Sequence, residues 1–517
     1  MSPTLSLASV LSEAARRWPD GLALVQGEQR LSFGELWQQV LAQAGALVEH
    51  GVQPGDKIAL IAPNTVEFPR AYYAIIAAGA VVVPVHLLLT AEEMAYVLTD
   101  SQARLALCHP LFAETGAAAA AQAGVPMLTV GAPGPAGPDG RRLEDTAATP
   151  LATFRSREPL DPAVVFYTSG TTGQPKGAVL NHLNLVMNAT VNAFDANQVG
   201  PADTALGALP LFHTFGQTVS MNSTWRAGAT LVLLPRFDAG EAIRLMVAEN
   251  VNTFHGVPQM YLALLAAAAE AAELPRLRLC ISGGAPLPTT VLERFDEVFG
   301  VQVLEGYGLS ETSPTATVNQ PWFGTRAGTV GHPLWGVEVE VAAAEVEERI
   351  ELLPAEQLGE IVIRGHNVFS GYLNRPSETE AVLVDGWFRT GDLGTKSPDG
   401  FISIIDRKKD LILRGGFNVY PREVEEVLIR HPAIAEAAVI GLPDDVHGEE
   451  VCAVIISKPG IEVDANEIIQ WSRDKLGRHK YPRRIEFVEA YPVGPSHKIL
   501  KRELRDRFGG NSATTGR

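Results

Sequence analysis

The chain reads as an α/β protein, with a large body of doubly wound parallel sheets followed by a small α+β domain. Three observations predict this. Helix-like and strand-like apolar patterns alternate from 12 to 130, which places helices on both faces of parallel sheets. At 517 residues the chain is too long for one core. Beyond Asp406 the pattern changes to shorter strands and helices around a charge cluster.

The elements follow in order. Residues 33–48 look helical, 57–62 look like a strand, and 68–78 look helical. The most apolar stretch, 72–89, contains Gly79, Pro84 and His86. A core helix ending near Gly79, followed by the strand Val81-Val82-Val83, fits it better than a membrane span. Residues 131–140 form a Gly/Pro loop with no packing potential, and 163–166 are a buried strand. The Ala-rich run 262–272 reads as a buried helix, and 279–281 as a strand. The cluster Asp406-Arg407-Lys408-Lys409-Asp410 lies between two apolar strands. A helix with Val424, Val427 and Leu428 at core spacing comes next. Strands near 437–440 and 452–456, another helix and a last strand at 484–488 complete the small domain. Residues 509–517 have nothing to bury and are expected to be disordered.

Composition is ordinary for a globular protein, with 46% hydrophobic and 20% charged residues. The net charge of -17 argues against a nucleic-acid partner, which would want a basic face. Cys108, Cys280 and Cys452 lie far apart and read as buried free thiols in a reducing compartment. Residues 1–10 lack the basic and apolar regions of a signal peptide. The expectation is a cytoplasmic protein without a transmembrane segment.

The most informative string is Tyr167-Thr168-Ser169-Gly170-Thr171-Thr172-Gly173-Gln174-Pro175-Lys176-Gly177. It follows the apolar strand directly. Its glycines allow close backbone approach, and successive N–H groups can form an anion-binding nest. Hydroxyls of Thr168, Ser169, Thr171 and Thr172 add donors, and Lys176 adds a positive charge. Phosphate is the natural guest. A Walker A loop is excluded, because Pro175 precedes Lys176 and Gly177 follows it. A flexible surface turn would explain the composition alone.

Further strings carry chemistry. Pro210-Leu211-Phe212-His213-Thr214-Phe215-Gly216 sets a histidine among aromatics. Ser282-Gly283-Gly284-Ala285-Pro286 follows an apolar strand. Gly306-Tyr307-Gly308-Leu309-Ser310-Glu311-Thr312 offers a ring for stacking and a carboxylate for a hard cation. Asp385-Gly386-Trp387-Phe388-Arg389-Thr390-Gly391-Asp392 ends on a carboxylate. Pro495-Ser496-His497-Lys498-Ile499-Leu500 presents a lysine. Each has a plain alternative: a satisfied core histidine, a turn, or a solvated charge.

Taken in this order, the strings resemble the adenylate-forming superfamily, in its acyl-CoA synthetase or fatty-acid–CoA ligase branch, from about 31 to 504. The resemblance implies a large domain, 1–408, with a small β-barrel-like part, and a small mobile domain, 409–517, hinged at Lys409. It implies ATP, Mg²⁺ and coenzyme A as ligands. ATP contacts would be Thr168, Ser169, Gly170, Thr171, Thr172, Gly173, Lys176, Gly284, Ala285, Pro286, Tyr307, Gly308, Ser310, Asp392 and Arg407. Glu311 and Thr168 would hold the metal, and Asp392 the ribose hydroxyls. His213 would border the carboxylate pocket. Lys498 would serve adenylation, with Thr171, Glu311 and His213 the other catalytic residues. Gly415 and Gly416 would line the approach of the thiol. The family usually has Gly before this lysine, where this chain has His497.

The implied reaction has two steps, acyl-AMP formation and transfer to coenzyme A, with the small domain rotating between them. The absence of an Asp beside Phe212-His213 counts against an amino-acid substrate. A medium- or long-chain fatty acid is the expected substrate. An aryl- or dicarboxylate-CoA ligase, and an acyl-AMP ligase loading a carrier protein, are the alternatives. A homodimer is a further expectation of the resemblance.

Overall fold

The computed structural model describes residues 3–131, 141–168, 174–461, 463–493 and 499–509. The chain divides into two compact units: Met1–Val339 with Ile363–Phe388, and Glu340–Val362 with Arg389–Arg517. The division falls within the strands Val337–Ala342, Gly359–Gly365 and Trp387–Lys396. It precedes the expected boundary at Lys409, which marks a proposed hinge of motion and not a limit of compactness. The resemblance sets no bounds for the barrel-like part; strands run Val337–Ala342, Gly359–Gly365, Leu383–Val384, Trp387–Lys396 and Ile402–Arg407 within the expected large domain.

The larger unit contains two mostly parallel sheets. The six-stranded sheet runs Met127–Thr129, Leu105–Cys108, Lys57–Ile61, Val81–Pro84, Pro162–Thr168, Lys176–Asn181. Its first five strands are parallel, and the last is antiparallel to Pro162–Thr168. The nine-stranded sheet is parallel from Val303–Gly308 across to Leu22–Gln26, with antiparallel pairs at its edges. Burial on both faces explains why these strands are continuously apolar.

The helices follow local signals. Phe33–Glu49 starts at Ser32, whose side chain and that of Glu35 form a reciprocal capping box. Glu67–Ala77 is enclosed on nearly every side, and the apolar stretch resolves into this helix and the strand Val81–Pro84. Tyr72, Tyr73 and Trp225 pack edge-on or tilted, with ring centroids 5.2 and 5.5 Å apart. Among the described residues no helix is long and apolar enough to cross a membrane. Cys108, Cys280 and Cys452 are free and buried.

Two expectations need correction. The Ala-rich helix runs Pro258–Ala268, earlier than read, and buries only Pro258, Tyr261 and Leu264. Alanine forms helix well without needing burial, so composition did not reveal which side faced the core. Gly509 ends the last helix, Lys501–Gly509, and is not part of a tail. The rest of that tail, and 132–140 of the Gly/Pro loop, lie outside the described residues.

The smaller unit has its own five-stranded sheet. Phe417–Val419, Ile412–Arg414, Gly448–Ser457 and Ile434–Asp444 pair antiparallel, and Arg484–Phe487 joins Gly448–Ser457 in parallel. Its core joins Val424 and Leu428 to Val439, Val451 and Ile455.

Candidate active site

Strands Pro162–Thr168 and Lys176–Asn181 carry the phosphate-loop string, and Thr168 and Lys176 are register partners. Ser169, Gly170, Thr171, Thr172 and Gly173 lie outside the described residues. Lys176 is held on two sides: its ammonium pairs with Glu378 and stands 5.3 Å from the Tyr372 ring centroid. Tyr372 is set by its backbone. Gly177 and Val179 exchange hydrogen bonds with 370–373, so that segment runs antiparallel beside the strand. The Tyr372 hydroxyl then donates to Glu311 Oε1 at 2.9 Å. Burial, and next the Glu311 charge, push this hydroxyl well above its usual range, which keeps it a donor.

Glu311 is buried in the short turn Ser310–Thr312, against which Lys176–Asn181 packs. Gly308 precedes the turn, and a Cβ there would lie 1.8 Å from the Pro314 carbonyl oxygen, so only glycine fits. Ser310 Oγ accepts from Thr214 Oγ1 at 3.2 Å, which ties this turn to the loop bearing His213. Asn64, which sequence reasoning missed, staples that loop. Its amide donates to Gly207 and Leu209 carbonyls at 3.1 and 2.7 Å and accepts from Leu211 N at 2.9 Å. His213 is half-buried and accepts from Phe215 N at 3.2 Å. A π-helix, Phe215–Asn222, follows it, a form found often at functional sites.

Tyr307 is half-buried in Val303–Gly308, paired with Thr317 of the next strand, Thr315–Val318. Gly284, Ala285 and Pro286 are exposed just beyond Leu279–Ser282, as a strand-end loop should be. The structure therefore links Lys176 to Glu311 through Tyr372, and ties Ser310, next to Glu311, to Thr214, next to His213. Tyr372 and Glu378 come from a stretch the sequence did not mark. Glu311 and Thr168 offer only oxygen donors, the set that Mg²⁺ takes, so the ion fits this chemistry.

In the smaller unit Asp392 and Arg407 are register partners on adjacent antiparallel strands. Arg407 Nε lies 3.9 Å from Asp392 Oδ1. Lys409 follows in the turn Lys408–Asp410, and burial, then the Arg407 charge, lowers its pKa. Gly415 and Gly416 form the two-residue turn between Ile412–Arg414 and Phe417–Val419, with φ of +57° and +82°. Two positive φ values make the hairpin turn that glycine pairs favour. Arg414 grips Glu450 bidentately at 2.6 and 2.9 Å beside it. Lys498 lies outside the described residues.

A doubly wound α/β body that holds a lysine and a buried carboxylate, together with a separate α+β unit, fits an enzyme that activates acids with a nucleotide, the class that the sequence resemblance implies. The chain belongs to the AMP-binding enzyme family, in its CoA-ligase branch. The AMP-binding enzyme domain matches residues 11–373, and the AMP-binding enzyme C-terminal domain matches 423–498. A long-chain-fatty-acid–CoA ligase of Bacillus subtilis (strain 168) is 34% identical over 533 residues, covering 97% of this chain and 94% of that protein. A feruloyl-CoA synthase of an Amycolatopsis species is 36% identical over 497 residues, covering 96% and 97%. The crystal structure of ATP-bound MatB from Rhodopseudomonas palustris superposes with a TM-score of 0.88 at 33% identity, covering 99% of each chain.

Proposed function

We propose that this protein joins a carboxylic acid to coenzyme A in two steps, with a medium- or long-chain fatty acid as the substrate. The observation that carries the reading is the link from Lys176 through Tyr372 to Glu311. It brings the lysine read as holding phosphate next to the carboxylate read as holding the metal.

A carboxylate is a poor acylating agent, because its leaving group would be oxide. In the first step its oxygen attacks the α-phosphorus of ATP, and the bond to pyrophosphate breaks. Positioning and charge neutralisation dominate such transfers. Lys176, with Thr171 and Thr172, holds the β- and γ-phosphates, and Tyr307 lies against the adenine with Gly284, Ala285 and Pro286. Asp392 and Arg407 hold the ribose, and His213 borders the acid's carboxylate. Lys498 reaches the carboxylate and the α-phosphate. Mg²⁺ held by Glu311 and Thr168 would neutralise phosphate charge.

In the second step the coenzyme A sulfur attacks the acyl carbon, AMP departs and the thiol proton passes to solvent. Rotation about Lys409 withdraws Lys498 and presents Gly415-Gly416 to the thiol. An aryl acid is the second reading, supported by the 36% identity to a feruloyl-CoA synthase.

The test is pyrophosphate release with Mg·ATP across acetate, octanoate, palmitate, malonate, benzoate and ferulate, each with and without coenzyme A. Coenzyme A-dependent turnover on octanoate or palmitate supports the fatty-acid reading. Turnover confined to benzoate or ferulate overturns it in favour of the aryl reading. A stoichiometric burst unchanged by coenzyme A points to another acceptor, such as a carrier protein.

A further inference from the structure

Two deeply buried residues of the smaller unit have no part in the chemistry above. Glu360 and Arg389 form an ion pair at 2.6 Å, with side chains 3% and 6% exposed. Arg389 donates Nε and Nη2 to Glu360 Oε2, and its Nη1 donates to the Val346 carbonyl at 2.6 Å. The other oxygen, Glu360 Oε1, accepts from the backbone N–H of Gly391 at 3.0 Å. Thr390 completes the clamp. Its hydroxyl donates to the Ile361 carbonyl at 2.8 Å and accepts from Asp392 N at 3.1 Å. The two peptide groups leading into Asp392 are thus fastened to the strand Gly359–Gly365. Gly391 has a φ of +73°, a conformation the clamp holds in place.

A buried pair of this kind gives little net stability over apolar residues of equal volume. An oxygen aimed at one backbone N–H is a more specific arrangement than stability requires. We propose that Glu360, itself oriented by Arg389, and Thr390 form a positioning clamp that fixes the backbone leading into Asp392 so that its carboxylate meets the ribose hydroxyls of ATP. The inference rests on the reading of Asp392 as the ribose contact.

Ribose discrimination tests it. The intact protein is compared on ATP and on 2′-deoxy- and 3′-deoxy-ATP, with KM and kcat measured separately. The variants are Asp392→Ala, the apolar pair Glu360→Met/Arg389→Met, and Thr390→Val. Thr390→Val removes the hydroxyl clamp while leaving the buried pair whole, so it keeps the test open if the double variant does not fold. Thermal unfolding identifies the variants that fold. The expected result for the folded clamp variants is a KM for ATP raised about 10-fold, the scale of one hydrogen bond to a charged group. Their kcat should stay within about 2-fold, and their preference for ATP over the deoxy analogues should fall toward that of Asp392→Ala. If Asp392→Ala keeps the wild-type preference, the ribose reading fails and this inference with it. If Asp392→Ala abolishes the preference while folded clamp variants retain it, the ribose reading stands and the positioning role of the clamp is overturned.

Discussion

In the larger unit Lys176, Glu311 and Tyr372 come from three separate segments and meet through their side chains. In the smaller unit Asp392, Arg407 and the Gly415-Gly416 turn follow one another along a short stretch of chain, in consecutive hairpins of two sheets. The first cluster exists only because two sheets and their helices bring distant strings together, and its members are bonded to one another. The second is set largely by local hairpins, with Gly359–Gly365 and Gly448–Ser457 reaching in from farther along the chain. Changes in the first cluster should therefore spread among its members, and changes in the second should stay separable.

The largest expected effect probes whether the smaller unit contributes to adenylation at all. Lys498→Ala should lower acyl-adenylate formation by about 10²–10³-fold, the usual size for one charge-stabilising donor. Supplied acyl-adenylate should still be converted to thioester. Separate assays of the half-reactions check this, and an equal loss in both would end the idea of alternating orientations.

The next probe tests the bonding within the larger unit. Tyr372→Phe removes the donor to Glu311 and should slow adenylation about 10-fold, as expected for a hydrogen bond to a charged group. Combined with Glu311→Ala the losses should not add, because Tyr372→Phe has no acceptor left to lose once the carboxylate is gone. Additive losses in a double-mutant cycle would mean that the two residues act independently.

A smaller effect is expected at the hairpin turn. Gly416→Leu forces a side chain into positive φ, at a cost of about 1–2 kcal/mol. It should slow thioester formation while sparing adenylation, and a matched loss in both would sink the separability of the local cluster.

The mildest probe is acid. Burial, with Arg157 nearby, pushes His182 down to about 4, and burial alone pushes His255 down to about 4. Unfolded histidine takes its proton near pH 6.5, so between about 6.5 and 4 the unfolded chain binds more protons than the folded one. The stability from these neutral histidines is present above that window and lost as pH falls through it. Hydrogen exchange at pH 7 and 5 should show larger losses of protection in the larger unit, which holds both residues. Uniform losses in both units would argue against these two histidines as the cause.

The helix Phe33–Glu49 and the strands Lys57–Ile61 and Val81–Pro84 were legible because apolar period and caps are local. The Ala-rich helix was misjudged in extent and burial because alanine suits a helix wherever it faces. Glu311, Lys176 and Asp392 stood out by the strings around them. Tyr372 and Glu378 did not, since neither lies in a marked string and their partners are remote in sequence. Glu360 and Arg389 were hidden for the same reason, as a charged pair looks like surface until its burial is known. Arg389 even stood inside a marked string without a role.

The sequence by itself determined the order of helices and strands, the loop chemistry that calls for phosphate, and the carboxylates and lysines available to a nucleotide. Those follow from period, turn propensity and side-chain chemistry, which act over a few residues. Only the tertiary structure decided that Tyr372 joins Lys176 to Glu311, that Asn64 holds the loop of His213, and that Glu360 clamps the approach to Asp392. Such contacts depend on which buried faces pack together, and no local pattern carries that information.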